Sequence, residues 1–200
     1  EEMKMKKIIA LLMCVAMLAC FAGCGAKTDN TLTMGTNAAF PPYEFVDDNG
    51  KIVGIDAEIA AAIAEKLDME LEIKDMDFDS LITACAGGSV DVVLAGLTVT
   101  DERKESVNFS DTYATGVQVI IVPEGSKIKS ADDLFAEGAF HKIGVQEATT
   151  GDLYSTWDLE DAGKAEVLRF PKGADAVNAL VTGKVDCVII DSEPAKVFVA

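Results

Sequence analysis

Histidine and tryptophan are scarce in this 200-residue sequence, which has one residue of each type. The histidine, His141, precedes a predicted strand, and neither a second histidine nor a cysteine cluster accompanies it to complete a metal site. We therefore expect a surface role for His141, no metal and no cofactor. A single acid such as Glu147, without a paired base, is weak support for an enzyme, so we predict no catalytic residue.

Cysteine is also sparse in the body of the chain. Two of the five cysteines, Cys14 and Cys20, lie in the N-terminal apolar segment, and Cys24 lies at its end. Cys85 falls in a helical pattern and Cys187 in an apolar strand pattern far along the chain. We expect these two to be buried free thiols that pack as small hydrophobic residues rather than a disulfide.

Positive charge is the third deficit. The chain has 17 lysine and arginine residues against 34 acidic ones, which gives a formal net charge of −17. The acidic residues are spread along the sequence and do not form a tail. A chain that repels phosphate in this way is not expected to bind nucleic acid.

The N-terminus has the pattern of an export signal. Lys4, Lys6 and Lys7 precede an apolar run over residues 8–22, which is shorter than a membrane-spanning helix usually needs. The small residues before Cys24 resemble a bacterial lipobox. We predict a signal peptide over residues 1–23, lipidation at Cys24 and a tether over 24–30, with the body outside the cytoplasm and anchored to the membrane through lipid. Cleavage near Cys20 and a retained anchor are the alternatives.

From residue 32 onward, short apolar runs alternate with helical periods, which predicts an α/β fold with mostly parallel strands. Strands are predicted over 32–35, 43–46, 71–73, 90–95, 116–122, 142–145, 167–170 and 185–190, with a loop over 37–42. Helices are predicted over 55–67, 79–86 and 174–182, from Asp101, at a capping box over 130–133 and after a turn at 149–151.

The chain contains a short internal repeat. A shift of 95 positions places the segment 88–93, GSVDVV, on the segment 183–188, GKVDCV, and a helical pattern precedes both segments. This repeat predicts two similar α/β lobes whose corresponding strands end at Gly96 and Asp191. Ligands of open α/β sheets bind beyond the carboxyl ends of the strands, so both residues should face one crevice.

A cation lies in the first turn of a predicted helix beside this crevice. Thr100 can cap the helix that begins at Asp101, and Arg103 is its third residue. Unpaired backbone N–H groups and a guanidinium fork would then converge on one spot, and a carboxylate suits that geometry. The alternative is a solvated arginine that pairs with Asp101 or Glu105.

Several motifs in order resemble the solute-binding proteins of polar amino acid ABC transporters, known as the bacterial extracellular solute-binding proteins of family 3. The motifs are GTNAAFPPYEF (35–45), GID (54–56), DF (77–78), AGLTVTDER (95–103), FSD (109–111), GVQ (144–146) and TTG (149–151). The resemblance covers residue 32 to the last residue.

The resemblance implies a periplasmic-binding-protein-like fold of two α/β lobes with a ligand cleft between them. The first lobe would comprise residues 31–118 and 191–200, the second would comprise 119–190, and the segments 116–122 and 187–193 would be the crossing strands. Such a protein, expected as a monomer, closes on one polar amino acid and delivers it to an ABC transporter permease without catalysis. A sensing module of a membrane receptor and a catalytic relative of the fold are the alternatives.

The resemblance also implies a set of ligand-binding residues. Arg103 would clamp the ligand carboxylate with the Thr98 N–H and a contribution from the second lobe, and Asp191 would hold the ammonium group. The full set is Asn37, Phe40, Phe78, Gly96, Leu97, Thr98, Arg103, Thr149, Thr150 and Asp191. Phe40 and Phe78 would sandwich the ligand side chain, but they could instead be core aromatics, and Thr149 could be only a helix cap.

Two departures from the family bear on the ligand and on the chain. Asn37 stands where several members that bind cationic side chains carry an acid, which favours a neutral polar ligand such as glutamine. Gln146, Glu147 and Tyr43 are further candidates to reach the ligand side chain. In the family the chain returns to the first lobe for several more elements, so we expect a truncated chain here.

Overall fold

The structure, a computed structural model, describes residues 30–200. The predicted signal peptide over 1–23, the lipidation site Cys24 and the tether up to residue 29 lie outside the described residues. Residues Thr31–Ala200 form a single compact unit. Within this unit no helix is long and apolar enough to cross a membrane.

Ten strands and seven α-helices in this range carry the labels used below. The strands are β1 (Thr31–Thr36), β2 (Ala39–Phe40), β3 (Glu44–Val46), β4 (Ile52–Val53), β5 (Glu70–Asp75), β6 (Val92–Val93), β7 (Gln118–Ile121), β8 (His141–Gln146), β9 (Ala165–Phe170) and β10 (Cys187–Asp191). The helices are α1 (Ile55–Leu67), α2 (Leu81–Ala86), α3 (Asp101–Lys104), α4 (Asp132–Phe135), α5 (Thr150–Ser155), α6 (Gly173–Val181) and α7 (Ser192–Phe198). A 3₁₀ turn, Phe78–Ser80, precedes α2, and a π-helical turn, Thr156–Glu160, follows α5.

The first sheet is parallel and has three strands in the order β5-β1-β6. Helices α1 and α2 pack on it, as expected when each crossover returns the chain to a parallel strand. Its buried core is small and consists of Met34, Ala60 and Leu94. A separate three-stranded antiparallel sheet, β2-β3-β4, connects β1 to α1.

The second sheet has four strands in the order β7-β10-β8-β9. Strands β8, β9 and β10 are parallel, whereas β7 pairs antiparallel with β10, so that Gln118 lies opposite Asp191. Apolar residues fill both faces of this sheet: one face packs on α6, and the other carries a cluster around Ile143, Val145 and Cys187.

The predicted order of strands and helices over 31–190 is confirmed, and most bounds are right to within two residues. Strand β6 is only Val92–Val93, because the flanking residues of the predicted segment 90–95 do not join the ladder. The predicted loop over 37–42 contains the short strand β2. The capping-box helix is a single turn in which Asp133 accepts hydrogen bonds from the Lys129 and Ser130 N–H groups.

The prediction that 187–193 is one crossing strand is wrong at its C-terminal end. Strand β10 stops at Asp191, and helix α7 begins at Ser192. Pro194 suits the first turn of a helix, where its missing N–H is not needed, and it cannot continue a ladder. The pairing of β7 with β10 nevertheless brings the two predicted crossing segments side by side.

Both cysteines of the described region, Cys85 and Cys187, are free thiols, as predicted, but the prediction that both are buried is wrong for Cys85, which is partly exposed. Cys187 is fully buried, and this burial raises the pKa of its thiol to about 12. His141 opens β8, and its Nε2 atom is buried without a hydrogen bond, so the predicted surface role is only partly right. No group of His, Cys, Asp and Glu side chains within residues 30–200 is arranged to hold a metal ion.

Candidate functional site

A small cavity of about 10 Å³ lies where the carboxyl ends of the first and second sheets meet. Its lining consists of Asn37, Phe40, Glu44, Phe78, Ala95, Gly96, Thr98, Arg103, Gln146, Thr149, Thr150 and Asp191. Nine of the ten residues predicted as ligand contacts are therefore brought together around one space. The tenth, Leu97, lines a different and larger groove beside the first sheet.

Arg103 is positioned by the cap of its own helix. The Thr100 hydroxyl accepts a hydrogen bond from the Arg103 N–H at 3.1 Å, so the short helix α3 begins as predicted. The solvated alternative is wrong, because the neighbouring cation Lys104 pairs with Asp101 and the Arg103 guanidinium turns inward. Burial lowers the pKa of that guanidinium.

The Arg103 guanidinium spans the space between the two sheets. Its Nη1 donates to the Thr98 carbonyl at 2.6 Å, and its Nη2 donates to the Ala148 carbonyl at 2.8 Å. Its Cζ lies 5.6 Å from the centre of the Phe78 ring, within the range of a cation–π contact. The side chain thus directs a planar array of N–H donors at the cavity from the first sheet.

Thr149 and Thr150 bring the start of helix α5 to the opposite wall. The Thr149 hydroxyl caps α5 by accepting a hydrogen bond from the Asp152 N–H, and it donates to the Gln146 carbonyl at 2.8 Å. Thr149 is therefore a helix cap, and it also lines the cavity. The Thr150 hydroxyl accepts a hydrogen bond from Gln118 at 3.0 Å.

Asp191 ends β10 at the edge of the cavity. Its carboxyl group interacts with Gln118, its partner on β7, and burial raises its pKa. A side chain at Gly116 would collide with the Asp191 carboxylate, so glycine leaves the room that this carboxylate occupies. Asp191 is only half-buried, which allows a carboxylate here without a built-in cation.

Asn37 and Gln146 join the two sheets through a buried hydrogen bond. The Gln146 Nε2 donates to the Asn37 Oδ1 at 2.9 Å and also approaches the Pro171 carbonyl at 3.1 Å. The Asn37 Nδ2 donates to the Met76 carbonyl at 2.8 Å. Of the three further candidates for the ligand side chain, Gln146 lines the cavity, Glu147 is exposed, and Tyr43 faces the larger groove.

The sequence interpretation missed Glu44 and Ala95 in the lining. Glu44 lies on β3 and is 1% exposed. The signal available in the sequence was an acid between two aromatic residues, in the short strand predicted over 43–46. A charged residue at such an inward position does not stabilise the strand, so its presence indicates another role. Ala95 follows the buried Leu94 and carries no chemical signal.

Glu44 lies next to a second buried carboxyl, that of Asp56 in the first turn of α1. Gly54, with φ at +121°, allows the chain to bring these two residues together. The Asp56 N–H donates a hydrogen bond to the Tyr43 carbonyl at 2.9 Å. Any side chain at Gly54 would collide with that carbonyl. Asp56 accepts hydrogen bonds from the Gly96 N–H at 2.8 Å and from the Tyr113 hydroxyl at 2.9 Å.

The sequence is similar to proteins named for amino acid binding. It is 34% identical to a probable histidine-binding protein of Neisseria gonorrhoeae, with 95% of this chain and 73% of the relative aligned. It is also 34% identical to the arginine-binding extracellular protein ArtP of Bacillus subtilis, with 94% of this chain and 73% of the relative aligned.

Solved structures show the same fold. The arginine-bound, truncated ArgBP of T. maritima has a TM-score of 0.77 and 42% identity over 85% of this chain and 77% of its own. An ancestral arginine-binding protein bound to glutamine has a TM-score of 0.77 and 42% identity over 85% of this chain and 73% of its own. The ancestral amino acid-binding protein AncCDT-1, described as a precursor of cyclohexadienyl dehydratase, has a TM-score of 0.77 and 35% identity over 85% of this chain and 74% of its own.

These similarities confirm the predicted α/β, periplasmic-binding-protein-like fold. The model of one family aligns with residues 32–193, which is most of the described region and includes every residue of the cavity lining. The chain belongs to the bacterial extracellular solute-binding proteins, family 3.

Proposed function

We propose that this protein binds a polar L-amino acid outside the cytoplasm and delivers it to an ABC transporter permease by closing two lobes around it. The observation that carries the proposal is the convergence of the Arg103 guanidinium, from the first sheet, and the start of helix α5, from the second, on one cavity. The names of the relatives, which describe binding proteins, support binding without catalysis.

The lining matches the three parts of an amino acid. Arg103 offers paired N–H donors to the ligand carboxylate, which the Thr98 N–H and Thr150 supplement. Asp191 offers a carboxylate to the ammonium group, with the Gly96 carbonyl and the Thr98 hydroxyl as neutral acceptors. Phe40 and Phe78 flank the direction in which a ligand side chain would extend. Leu97 belongs to the same segment but lies outside the lining, so we assign it no ligand contact.

The proposal that the lobes open and close is supported by the size of the cavity and by the hydrogen bonds that join the two sheets. A cavity of about 10 Å³ has room for a single water molecule, so an amino acid can enter only if the lobes separate. Separation breaks the Arg103–Ala148 and Gln146–Asn37 hydrogen bonds. A bound carboxylate would then replace the Ala148 carbonyl as the partner of Arg103 and stabilise the closed state through groups from both lobes.

The setting of this activity is the outer side of the membrane. We propose that the protein acts there as a monomer, held by the lipid anchor predicted at Cys24, so that a released ligand reaches a permease in the same membrane. The division into lobes of residues 31–118 with 191–200, and of 119–190, agrees with the position of the cavity between the two sheets.

A thermal-shift screen of the twenty amino acids against the full chain tests the proposal. We expect one or a few polar amino acids to raise the melting temperature, since a ligand that binds only the folded state stabilises it. Arg103→Ala should abolish the shift, whereas Lys104→Ala, which removes the adjacent cation paired with Asp101, should retain it. The absence of any shift in the wild-type chain, or an undiminished shift in Arg103→Ala, would contradict the proposal.

A further inference from the structure

Gln118, the first residue of β7, is a partly buried amide that contacts no part of the ligand in the proposal above. It does not line the cavity, but its side chain bonds to two residues that do. Its Nε2 donates to the Thr150 hydroxyl at 3.0 Å, and its amide also bonds to the carboxyl of Asp191, the residue opposite it on β10. One amide therefore connects the group proposed for the ligand carboxylate with the group proposed for the ligand ammonium.

The orientation of the Gln118 amide follows from its contact with Asp191. An ionised carboxylate accepts hydrogen bonds and cannot donate them, so the amide nitrogen of Gln118, and not its oxygen, has to face Asp191. Burial raises the pKa of Asp191, and the hydrogen bond from Gln118 opposes that shift, as expected of an N–H donor. The amide nitrogen carries two hydrogens, which allows one bond to Asp191 and one to Thr150.

The amide oxygen of Gln118 shows that this orientation is unfavourable for part of the same group. Its Oε1 is buried and has no hydrogen-bond partner within residues 30–200. It lies beside helix α5, where a Cβ atom at Gly151 would be 2.9 Å from it, so glycine at this position leaves the oxygen its room. A buried oxygen without a partner destabilises the fold, which indicates that the contacts of the amide nitrogen have a role beyond stability.

The direction of the Thr150 hydroxyl follows in turn from the direction of the Gln118 amide. A hydroxyl has one hydrogen, and because the Thr150 Oγ1 accepts a hydrogen bond from Gln118, that hydrogen has to point elsewhere. Thr150 makes no other side-chain hydrogen bond to the part of the chain that the structure describes, and it lines the cavity. The hydroxyl hydrogen is therefore available to an oxygen atom of a ligand in the cavity.

We propose that Gln118 is a positioning residue of the binding site: Asp191 orients its amide, and the amide makes the Thr150 hydroxyl a hydrogen-bond donor to the ligand carboxylate. This inference rests on the proposed function and deepens it. A carboxylate has two acceptor oxygens, one for Arg103 and one for Thr150, whereas a carboxamide has a single oxygen and cannot satisfy both donors. Gln118 therefore contributes to the selection of a free carboxylate without touching it.

Calorimetric titration of the full chain tests the inference through the carboxylate preference, defined as the affinity for an amino acid divided by the affinity for its carboxamide. The twenty amino acids are titrated first, and the tightest is paired with its carboxamide, such as L-glutaminamide for L-glutamine or L-argininamide for L-arginine. Gln118→Glu keeps the shape of the side chain but supplies at most one hydrogen, which bonds to Asp191. The Thr150 hydroxyl then donates to the introduced carboxyl, and the carboxylate preference should fall at least about tenfold.

Three further variants isolate the role of the Thr150 hydroxyl. Gln118→Met removes both N–H donors without adding charge, so the hydroxyl is no longer held and the carboxylate preference should fall about threefold or more. In a Thr150→Val background, Gln118→Met should leave the preference unchanged, because the hydroxyl through which Gln118 acts is absent. Asn178→Asp converts an exposed amide on α6 to an acid, as Gln118→Glu does at its own position, and should retain the wild-type preference.

The outcomes separate this inference from the proposed function. If Gln118→Glu and Gln118→Met weaken binding of the amino acid and of its carboxamide by the same factor, or if Gln118→Met still lowers the carboxylate preference in Thr150→Val, then the inference is wrong while the proposed function stands. If none of the twenty amino acids binds the wild-type chain, both are wrong. The carboxylate preference is a ratio of two affinities measured on one preparation, so a smaller folded fraction in a variant does not change it.

Discussion

The two copies of the internal repeat have the same local geometry. Asp91, before β6, accepts a hydrogen bond from the Thr33 N–H at 2.8 Å, and its own N–H donates to the Thr33 carbonyl at 2.8 Å. Asp186, before β10, makes the same pair of bonds with Lys142, at 2.8 Å and 2.7 Å. One carboxylate in each copy therefore fixes the register of a parallel strand against its neighbour.

The copies also share a close contact between a glycine and a valine. A Cβ atom at Gly35 would lie 3.2 Å from Val90, and a Cβ atom at Gly144 would lie 3.2 Å from Val185. In each case a glycine on an inner strand of the sheet leaves room for the valine at the third position of the repeat. These paired observations confirm that the 95-residue shift is a structural repeat.

The copies differ in what surrounds them. Val93 on β6 is half-buried beside a groove of about 510 Å³ lined by residues such as Ile59, Ile63 and Ile82. Its counterpart Val188 on β10 is fully buried between two layers of apolar residues. The repeat thus encodes strand pairing, whereas burial depends on residues far from it in sequence.

The buried acids beside the two sheets differ in the partners that surround them. Beside the first sheet, Glu44 and Asp56 adjoin each other without a bonded cation. Beside the second, Asp152 is held by Arg169 at 3.0 Å and also accepts the Ala148 N–H at 2.9 Å. The first pair of acids is therefore accommodated by a proton on Glu44, whereas Asp152 in the second region is neutralised by a cation of the protein itself.

The largest stability effect should come from Arg169→Ala. The substitution leaves the Asp152 carboxylate buried without its cation, and we expect the free energy of unfolding to fall by roughly 2–3 kcal/mol, less than for a fully buried pair because Arg169 is about one third exposed. Lys142→Ala, which breaks an exposed pair with Glu166, should cost under about 0.5 kcal/mol. Urea unfolding of both variants measures these changes. Equal losses of unfolding free energy in Arg169→Ala and Lys142→Ala would contradict the expected difference between the buried and the exposed ion pair.

Truncation of the equivalent valines, Val93 and Val188, should lower the free energy of unfolding by less than Arg169→Ala does, and by different amounts at the two positions. Val188→Ala removes two fully buried methyl groups and should lower the free energy of unfolding by roughly 2 kcal/mol. Val93→Ala, beside the open groove, should cost less than about 1 kcal/mol. Chemical denaturation resolves the difference, and a larger loss at Val93 would overturn the burial comparison.

Stability should fall as pH rises from 5 to 8, in part through Glu44. Unfolding returns this carboxyl to an ordinary pKa near 4.5, whereas in the folded state the pKa is raised to about 11, so the folded state binds more protons throughout this range. The slope contributed by one such group is at most about 1.4 kcal/mol per pH unit. Unfolding curves of Glu44→Gln at several pH values should show a flatter dependence than the wild type, and parallel curves would refute this assignment.

The smallest predicted effects on stability come from the two aspartates of the repeat, and they should be equal. Asp91→Ala and Asp186→Ala each remove one hydrogen bond that a backbone N–H donates to a carboxylate, and each should lower the free energy of unfolding by about 1 kcal/mol. Matched losses in denaturant titrations would support the structural equivalence of the copies. A difference of more than about 1 kcal/mol would show that the two aspartates have different roles.

The sequence was informative where local chemistry decides the structure. Thr100, Asp101 and Arg103 could be placed because a cap, a helix start and a guanidinium lie within four residues of one another, and the repeat located Asp191 at the end of its strand. Glu44 could not be placed in the site, because its environment depends on the Asp56 carboxyl, which only the folded chain brings next to it. The shortness of β6 was missed for the same reason, since its neighbours in space decide where pairing stops.

The most direct test of the central claim is a calorimetric cycle on Arg103 and the ligand carboxylate. The affinity of the tightest-binding amino acid and of its carboxamide analogue would be measured for the full wild-type chain and for Arg103→Ala. If Arg103 clamps the carboxylate, the carboxamide should bind the wild type at least about a hundredfold more weakly, while the variant should scarcely distinguish the two ligands. An equal preference for the carboxylate in both proteins would contradict the account, because another group would then hold it.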